Sequence, residues 1–311
     1  MQYLSPIDWI LYGVAFVNVL LALVVLRHAP RREENRVFAV TCLSVALWAL
    51  TNAFFRVSAS QGWALLWAQA SYAAGLALGA SFLHFSWIFP TRNPFIEPQR
   101  KWVLWLVAMV ITSVVLLPNV VIQEVNLSER RILTASGIWL IAAFMLATSG
   151  LAFSRFWHSQ ARLHGGTQEQ ARYVLFGAAL TAVFGLSFNL ILPLLNNYQW
   201  VWAGPVCSLF FVGFTVYSIV AHQLFDIKIL IRRTLVYSLL VALLALAFSG
   251  LELLLTHAAD FVLGEENTFI AHLLTALIVS LGIQPVRHAL ERWVHKLLFR
   301  KDRAKKQGRA I

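Results

Sequence analysis

Apolar positions in this chain come in long runs rather than in alternation with polar ones. Runs with little or no charge cover about 7–26, 37–55, 62–89, 102–122, 134–154, 171–195, 201–221, 235–256 and 268–283. A bilayer crossing needs roughly 17–25 such residues, so the last run is short. In lipid every backbone N–H and C=O must pair internally, which leaves helices or closed barrels. Barrel strands alternate apolar-out with polar-in, and these runs do not. The pattern therefore predicts an all-α fold, a polytopic membrane helix bundle of about nine transmembrane helices.

The charges orient this bundle. Of the 25 Lys and Arg, only Arg56, Arg130 and Arg131 fall in alternate loops that nine spans would place outside. The others gather on the opposite side, which the positive-inside rule makes the cytoplasm. The expected topology is N-out and C-in. No Lys or Arg precedes the first run, whereas Arg27, Arg31 and Arg32 follow it. That order predicts a retained helix and no cleavable signal peptide. The outer loops are short, and the longest, around 123–133, is too small for a folded extracytoplasmic domain.

Composition agrees with lipid as the solvent. Hydrophobic residues make up 59%, charged residues 13%, and the mean hydropathy is +0.70. A soluble domain carries about a quarter charged residues. The net charge of +11 raises nucleic acid as a partner. Its distribution over short loops argues against that, and the bilayer is the expected partner. Cys42 and Cys207 fall near opposite ends of their helices, so they read as small core residues rather than a disulfide pair.

The sequence offers little to catalysis. No His precedes an acid, there is no Gly-x-Gly, and no two His stand four apart. All six Lys lie outside the expected spans. No catalytic residue, metal site or cofactor is expected, and the chain by itself is not expected to be an enzyme.

Polar residues within spans are candidate sites. Asn52, Gln69, Tyr72, Asn189, Glu252 and His272 all fall in the expected outer half of the membrane. Their agreement in depth suggests an outward-facing pocket for an amphiphilic or small polar signal. The plainer alternative is hydrogen bonding between helices, worth about 1 kcal/mol or less apiece. Tryptophans such as Trp48, Trp63, Trp67, Trp102, Trp105, Trp200 and Trp202 read as interfacial belt residues.

Two junctions are candidates for signal coupling. Leu224–Ile231 sets Asp226 and Lys228 among apolar residues, before Arg232 and Arg233. It reads either as an interfacial turn with a local charge pair or as a coupler to the last two spans. Beyond Gly282 and Pro285, which offer a kink, Val286, Leu290, Trp293 and Leu297 share one helical stripe. That stripe reads equally as an amphipathic helix on anionic lipid or as a parallel signalling helix in a homodimer.

In order along the chain, these segments resemble the N-terminal seven-helix membrane region of bacterial sensor histidine kinases. NRVFAVTCLSVALWAL (35–50) is similar to a Phe-rich second helix with a central Trp. FLHFSWIFP (82–90) resembles the end of the third, and QEQARYVLFG (168–177) with FNLILP (188–193) the sixth. The closest resemblance is GPVCSLFFVGFTVYSIVAHQLFDIKILIRRTLVYSLL (204–240). QPVRHALERWVHKLLFRKDR (284–303) looks like the linker that leads out of the membrane. The resemblance implies a seven-helix sensor region at 1–225, two further spans at 226–283, a cytoplasmic signalling helix at 284–300 and a basic tail at 301–311. In such kinases the linker runs on into an output domain. This sequence stops soon after it, so kinase activity is not expected here, and the chain reads as the membrane half of a split kinase or a stand-alone relative.

The expected function is a sensory module in the bacterial inner membrane, relaying a membrane or periplasmic cue to a cytoplasmic kinase or other output partner. A transporter of small solutes or lipid, or a structural subunit of a membrane complex, are the alternatives. Reporter fusions within 123–133 and in the C-terminal tail should report opposite compartments. Both reporting the same one would overturn the topology.

Overall fold

The computed structural model describes residues 5–28, 30–90, 98–127, 131–161, 163, 165–195 and 197–222. The expected eighth and ninth spans and the exit helix lie outside them. Among the described residues the chain forms seven long helices and one hairpin. These are α1 (Pro6–His28), α2 (Glu33–Val57), α3 (Gln61–Ile88) and α4 (Pro98–Val115), then strands β1 (Ile122–Asn126) and β2 (Arg131–Thr134). After the hairpin come α5 (Ile138–Gln160), α6 (Gly166–Leu186) and α7 (Ala203–His222). α6 continues through a π-helical turn, Ser187–Ile191, and a last α-turn, Leu192–Leu194.

Local chemistry sets several helix ends. Pro6 opens α1, where its missing N–H costs nothing. Asp8 reaches back to accept from the Ser5 N–H at 2.9 Å and the Ser5 hydroxyl at 2.8 Å, the acidic half of a capping box, while its own N–H donates to Ser5 O. The Ser60 hydroxyl accepts from the Trp63 N–H at the start of α3. Glu33 and Glu34 stand in the first turn of α2 and Arg56 in its last, each complementing the helix dipole.

Six helices close a ring in the order α1, α2, α3, α5, α6, α7, with α7 returning to α1 and α2. α4 packs mainly on α3. It turns a face of Trp102, Val103, Leu106, Val107, Met109 and Val110, 42–77% exposed, away from the bundle. Lipid is the medium that suits such a face. By length and composition, Pro6–Arg27, Glu33–Val57, Ile138–Gln160 and Gln168–Ile191 are sufficient to cross a membrane.

Two buried clusters divide the bundle. One joins α1, α2, α6 and α7 with the far end of α3; the other joins α3, α4, the hairpin and α5. Where the ring is tightest, aromatic rings interlock. Phe38 lies 5.6 Å from both Phe85 and Phe211, and Phe156 lies 6.0 Å from Phe85 and 5.7 Å from Phe82, measured between ring centroids. Each such pair adds about 0.5–1.5 kcal/mol beyond area burial.

Four helices follow the expected runs to within a few residues; the stretch between α4 and α5 does not. The run read as 102–122 is helical only to Val115, because Pro118 cannot donate and disfavours helix at the residue before it. Asn119 then takes a left-handed φ of 60°. The segment read as a plain outer loop is an antiparallel hairpin pairing Val125 with Ile132 and Glu124 with Leu133, with an irregularity between Ile122 and Glu124. Val121, Ile122 and Val125 are buried beneath it. The fifth helix consequently begins at Ile138 rather than near 134.

The hairpin closes onto α5 through hydrogen bonds from Gly137 N–H to Val120 O (3.0 Å) and Ala135 N–H to Val121 O (2.9 Å). A Cβ on Gly137 would stand 2.4 Å from Val120 O, so no side chain fits there. Gly137→Ala should therefore lose about 1–3 kcal/mol. Gly150→Ala, with nothing within 4 Å of the added carbon, should be neutral or slightly stabilising. Unfolding of the two variants in detergent checks this, and equal stabilities would refute the close approach.

Candidate ligand-binding cavity

Between the two clusters lies a cavity of about 410 Å³, within the range of small-molecule sites. α2 lines it from Thr41 to Arg56, α3 from Ala68 to Phe82 and α6 from Ala178 to Pro193 on through its last turn. At 1.5 Å per residue each stretch is about 20 Å long. One end reaches the hairpin, where Ile132 and Thr134 border it. At the other, Phe82 and Phe211 form a floor backed by the aromatic cluster.

Three of the sequence-derived candidates meet here. Asn52, Tyr72 and Asn189 all line the cavity in the half nearer the hairpin. Asn52 Nδ2 donates to Trp48 O at 2.8 Å and to Ser71 Oγ at 3.0 Å, joining α2 to α3. Asn189 lies within the π-helical turn and packs so close to α7 that a Cβ on Gly204 would fall 1.5 Å from its Nδ2. π-helical turns recur at functional sites. Gln69 points elsewhere. Its Nε2 donates to Val115 O and Leu116 O at 3.3 and 3.4 Å, satisfying carbonyls left open at the end of α4. Glu252 and His272 lie outside the described residues, as do Asp226, Arg232, Arg233, Gly282, Pro285, Leu290, Trp293 and Leu297.

Several lining residues escaped the sequence reading. Trp48 and Trp202 border the cavity instead of serving only as belt residues. Thr181 Oγ1 donates to Cys207 O at 2.9 Å and accepts from Phe211 N–H at 3.1 Å. Those two groups are α-helical partners of one another, so the hydroxyl bridges one rung of α7 from outside it. Gly75 and Gly185 keep the channel open, since a Cβ on Gly75 would meet nothing within 4 Å and one on Gly185 only the Trp48 ring edge at 4.0 Å. Gly177 differs. It lets α6 and α7 touch, because its Cβ would lie 2.8 Å from Phe214 Cβ.

Arg56 is the charged side chain bordering the cavity. Its Nε donates to Asp8 Oδ1 at 2.9 Å and its Nη2 to Ser5 Oγ at 3.3 Å, tying the ends of α1 and α2 together. Asp8 is 3% exposed, so its charge depends on this partner and on Ser5. Nearby, the Arg131 guanidinium carbon lies 4.8 Å over the ring of Tyr198, itself a lining residue. The sequence signal for Arg56 was its isolation, as a lone cation at a helix end far from the other basic clusters.

At the opposite end Glu33 pairs with Lys101, and His84 Nε2 lies 3.5 Å from the same carboxylate. His84 Nδ1 accepts from Trp105 Nε1 at 3.2 Å. The group fastens α2, α3 and α4 together.

A family model described as the N-terminal 7TM region of histidine kinase matches residues 10–228, more than half of the chain. The chain belongs to that family. No curated protein and no solved structure matches it. As a histidine kinase seven-helix region it is a multi-pass membrane protein, and its matched part is of the sensory, non-catalytic kind. All seven helices α1–α7 fall within or overlap the match.

Asp8→Ala should cost about 1–3 kcal/mol by stranding the Arg56 charge. Arg56→Ala made on top of it should cost less than Arg56→Ala alone. A double-mutant cycle of unfolding free energies checks the pair, and strict additivity would show that the two do not interact.

Proposed function

We propose that this seven-helix region is a receptor that binds its cue in the α2–α3–α6 cavity and relays it through the C-terminal helices to a cytoplasmic output partner. The observation that carries this reading is the cavity itself, bordered by five of the ring helices. A molecule lodged there touches α2, α3 and α6 together, so its binding energy can differ between two helix arrangements. The aromatic floor favours a receptor over a conduit, because Phe38, Phe85 and Phe156, all at most 1% exposed, fill the route beyond it. The π-helical turn is a local departure from α geometry at the cavity wall, where a helix can adjust.

In this reading the hairpin end faces outward and His28, Glu33 and Lys101 lie at the inner face. Nine spans would then carry the chain to a cytoplasmic exit helix in the bacterial inner membrane. Asp226, Arg232 and Arg233 would couple the seventh helix to the last two spans, with Gly282 and Pro285 as the bend. Leu290, Trp293 and Leu297 would face a second copy of the chain, and a histidine kinase domain or another output domain would receive the movement. Glu252 and His272 would complete the outer side of the site.

Cysteine crosslinking at Leu290 and at Leu297 in native membranes tests the relay. A dimer should form, and its yield should change when the cavity is filled by Gly185→Leu. No dimer, or an identical yield from the filled variant, would overturn it.

A further inference from the structure

The cavity has a shape and a charge distribution that specify a ligand class. Resting on the receptor reading above, we infer that it holds an extended aliphatic chain whose anionic head sits at Arg56.

Length comes first. Thr41–Arg56, Ala68–Phe82 and Ala178–Pro193 each border the cavity over about 20 Å. A volume of about 410 Å³ spread over that length makes the cavity elongated, a shape that suits an extended chain better than a compact molecule. Polarity comes second. The deep part is bordered by Val45, Leu78, Phe82, Ala178 and Phe211, and by Thr41 and Thr181, whose hydroxyls are engaged by backbone groups of α2 and α7. The hairpin half carries Asn52, Ser71, Tyr72, Asn189 and Gln199. Arg56 is at that same end, and its Asp8 partner does not border the cavity. A ligand therefore touches the cavity side of a guanidinium whose Nε and Nη2 are held from behind by Asp8 and Ser5, with Arg131 one aromatic ring further out over Tyr198.

The glycines give independent support. A glycine inside a helix costs about 1 kcal/mol relative to alanine, so its presence calls for a reason. Gly177 has one in close helix contact; Gly75 and Gly185 border the cavity, while Gly150 and Gly213 meet open space away from it. The missing side chains of Gly75 and Gly185 keep the channel wide enough for a chain to lie along it.

The test uses the full chain in lipid nanodiscs with a photoreactive hexadecanoate as probe. Cross-linked peptides should map to Thr41–Arg56 and Ala68–Phe82. At equal mole fraction the methyl ester of the same probe, which lacks the charge, should label about tenfold less. Gly75→Leu, whose side chain enters open space and spares the helix contacts, should reduce labelling about tenfold while leaving the thermal transition in place. Labelling in preloaded discs marks entry from the bilayer. Labelling confined to amphipol-held protein with probe in solution marks entry from water.

Labelling spread over the lipid-facing side of α4, or unchanged by Gly75→Leu, would overturn the inference. So would equal labelling by acid and ester. The receptor reading fails separately, if the probe occupies the cavity as expected while crosslinking at Leu290 is indifferent to it. A cavity-filling variant that alters crosslinking in a protein that takes up no probe would leave the receptor standing and remove the aliphatic ligand.

Discussion

Helices in lipid gain little by hiding apolar side chains from one another, because the solvent is as apolar as they are. What holds them is interlocking, and here it is concentrated at one level of the bundle. Phe38, Phe85, Phe156 and Phe211 draw four of the ring helices to a common centre. The cavity exists because that interlocking stops. Above Phe82 and Phe211 small residues such as Ser71, Gly75, Ala182 and Gly185 stand among the larger ones, and the helices cannot close on one another without losing their grip below.

The two ends of the bundle are fastened differently. Near the hairpin, Asp8 and Arg56 tie α1 to α2, leaving α6 and α7 joined by packing at Gly177 and Gly204 and by the Thr181 hydroxyl. At the opposite end Glu33, Lys101 and His84 bind α2, α3 and α4 in one polar group. The walls of the cavity, α2–α3 on one side and α6–α7 on the other, are thus joined to each other mainly at the Phe38–Phe211 contact and through the Asn18–Ser208 bond from α1. Such a division suits a device in which a lodged molecule alters the spacing of two halves.

The helices were readable from the chain because lipid imposes a length and forbids charge, so runs such as 7–26 and 37–55 announce themselves. The helix ends near 115 and 138 were not. There the apolar run continues through Pro118 into Val120, Val121 and Ile122, and a hydropathy pattern does not distinguish a buried strand from the end of a helix. Depth along each span placed Asn52, Tyr72 and Asn189 at one level, and they do share a cavity. Depth carries no information about which side of a helix faces inward, and for that reason Gln69, at a similar depth, serves α4 instead. Arg56 and Asp8 were hidden by distance, since the two lie 48 positions apart and neither alone says what the other does.

The π-helical turn at Ser187–Ile191 amounts to one residue more than an α-helix would use. Everything after it, including Pro193, is rotated by about 100° relative to an uninterrupted helix. The side chain of Asn189 thus owes its heading to an extra amino acid in the count and not to its own identity. A sequence one residue shorter in this segment would keep every apolar property of α6 and still present a different face to the interior.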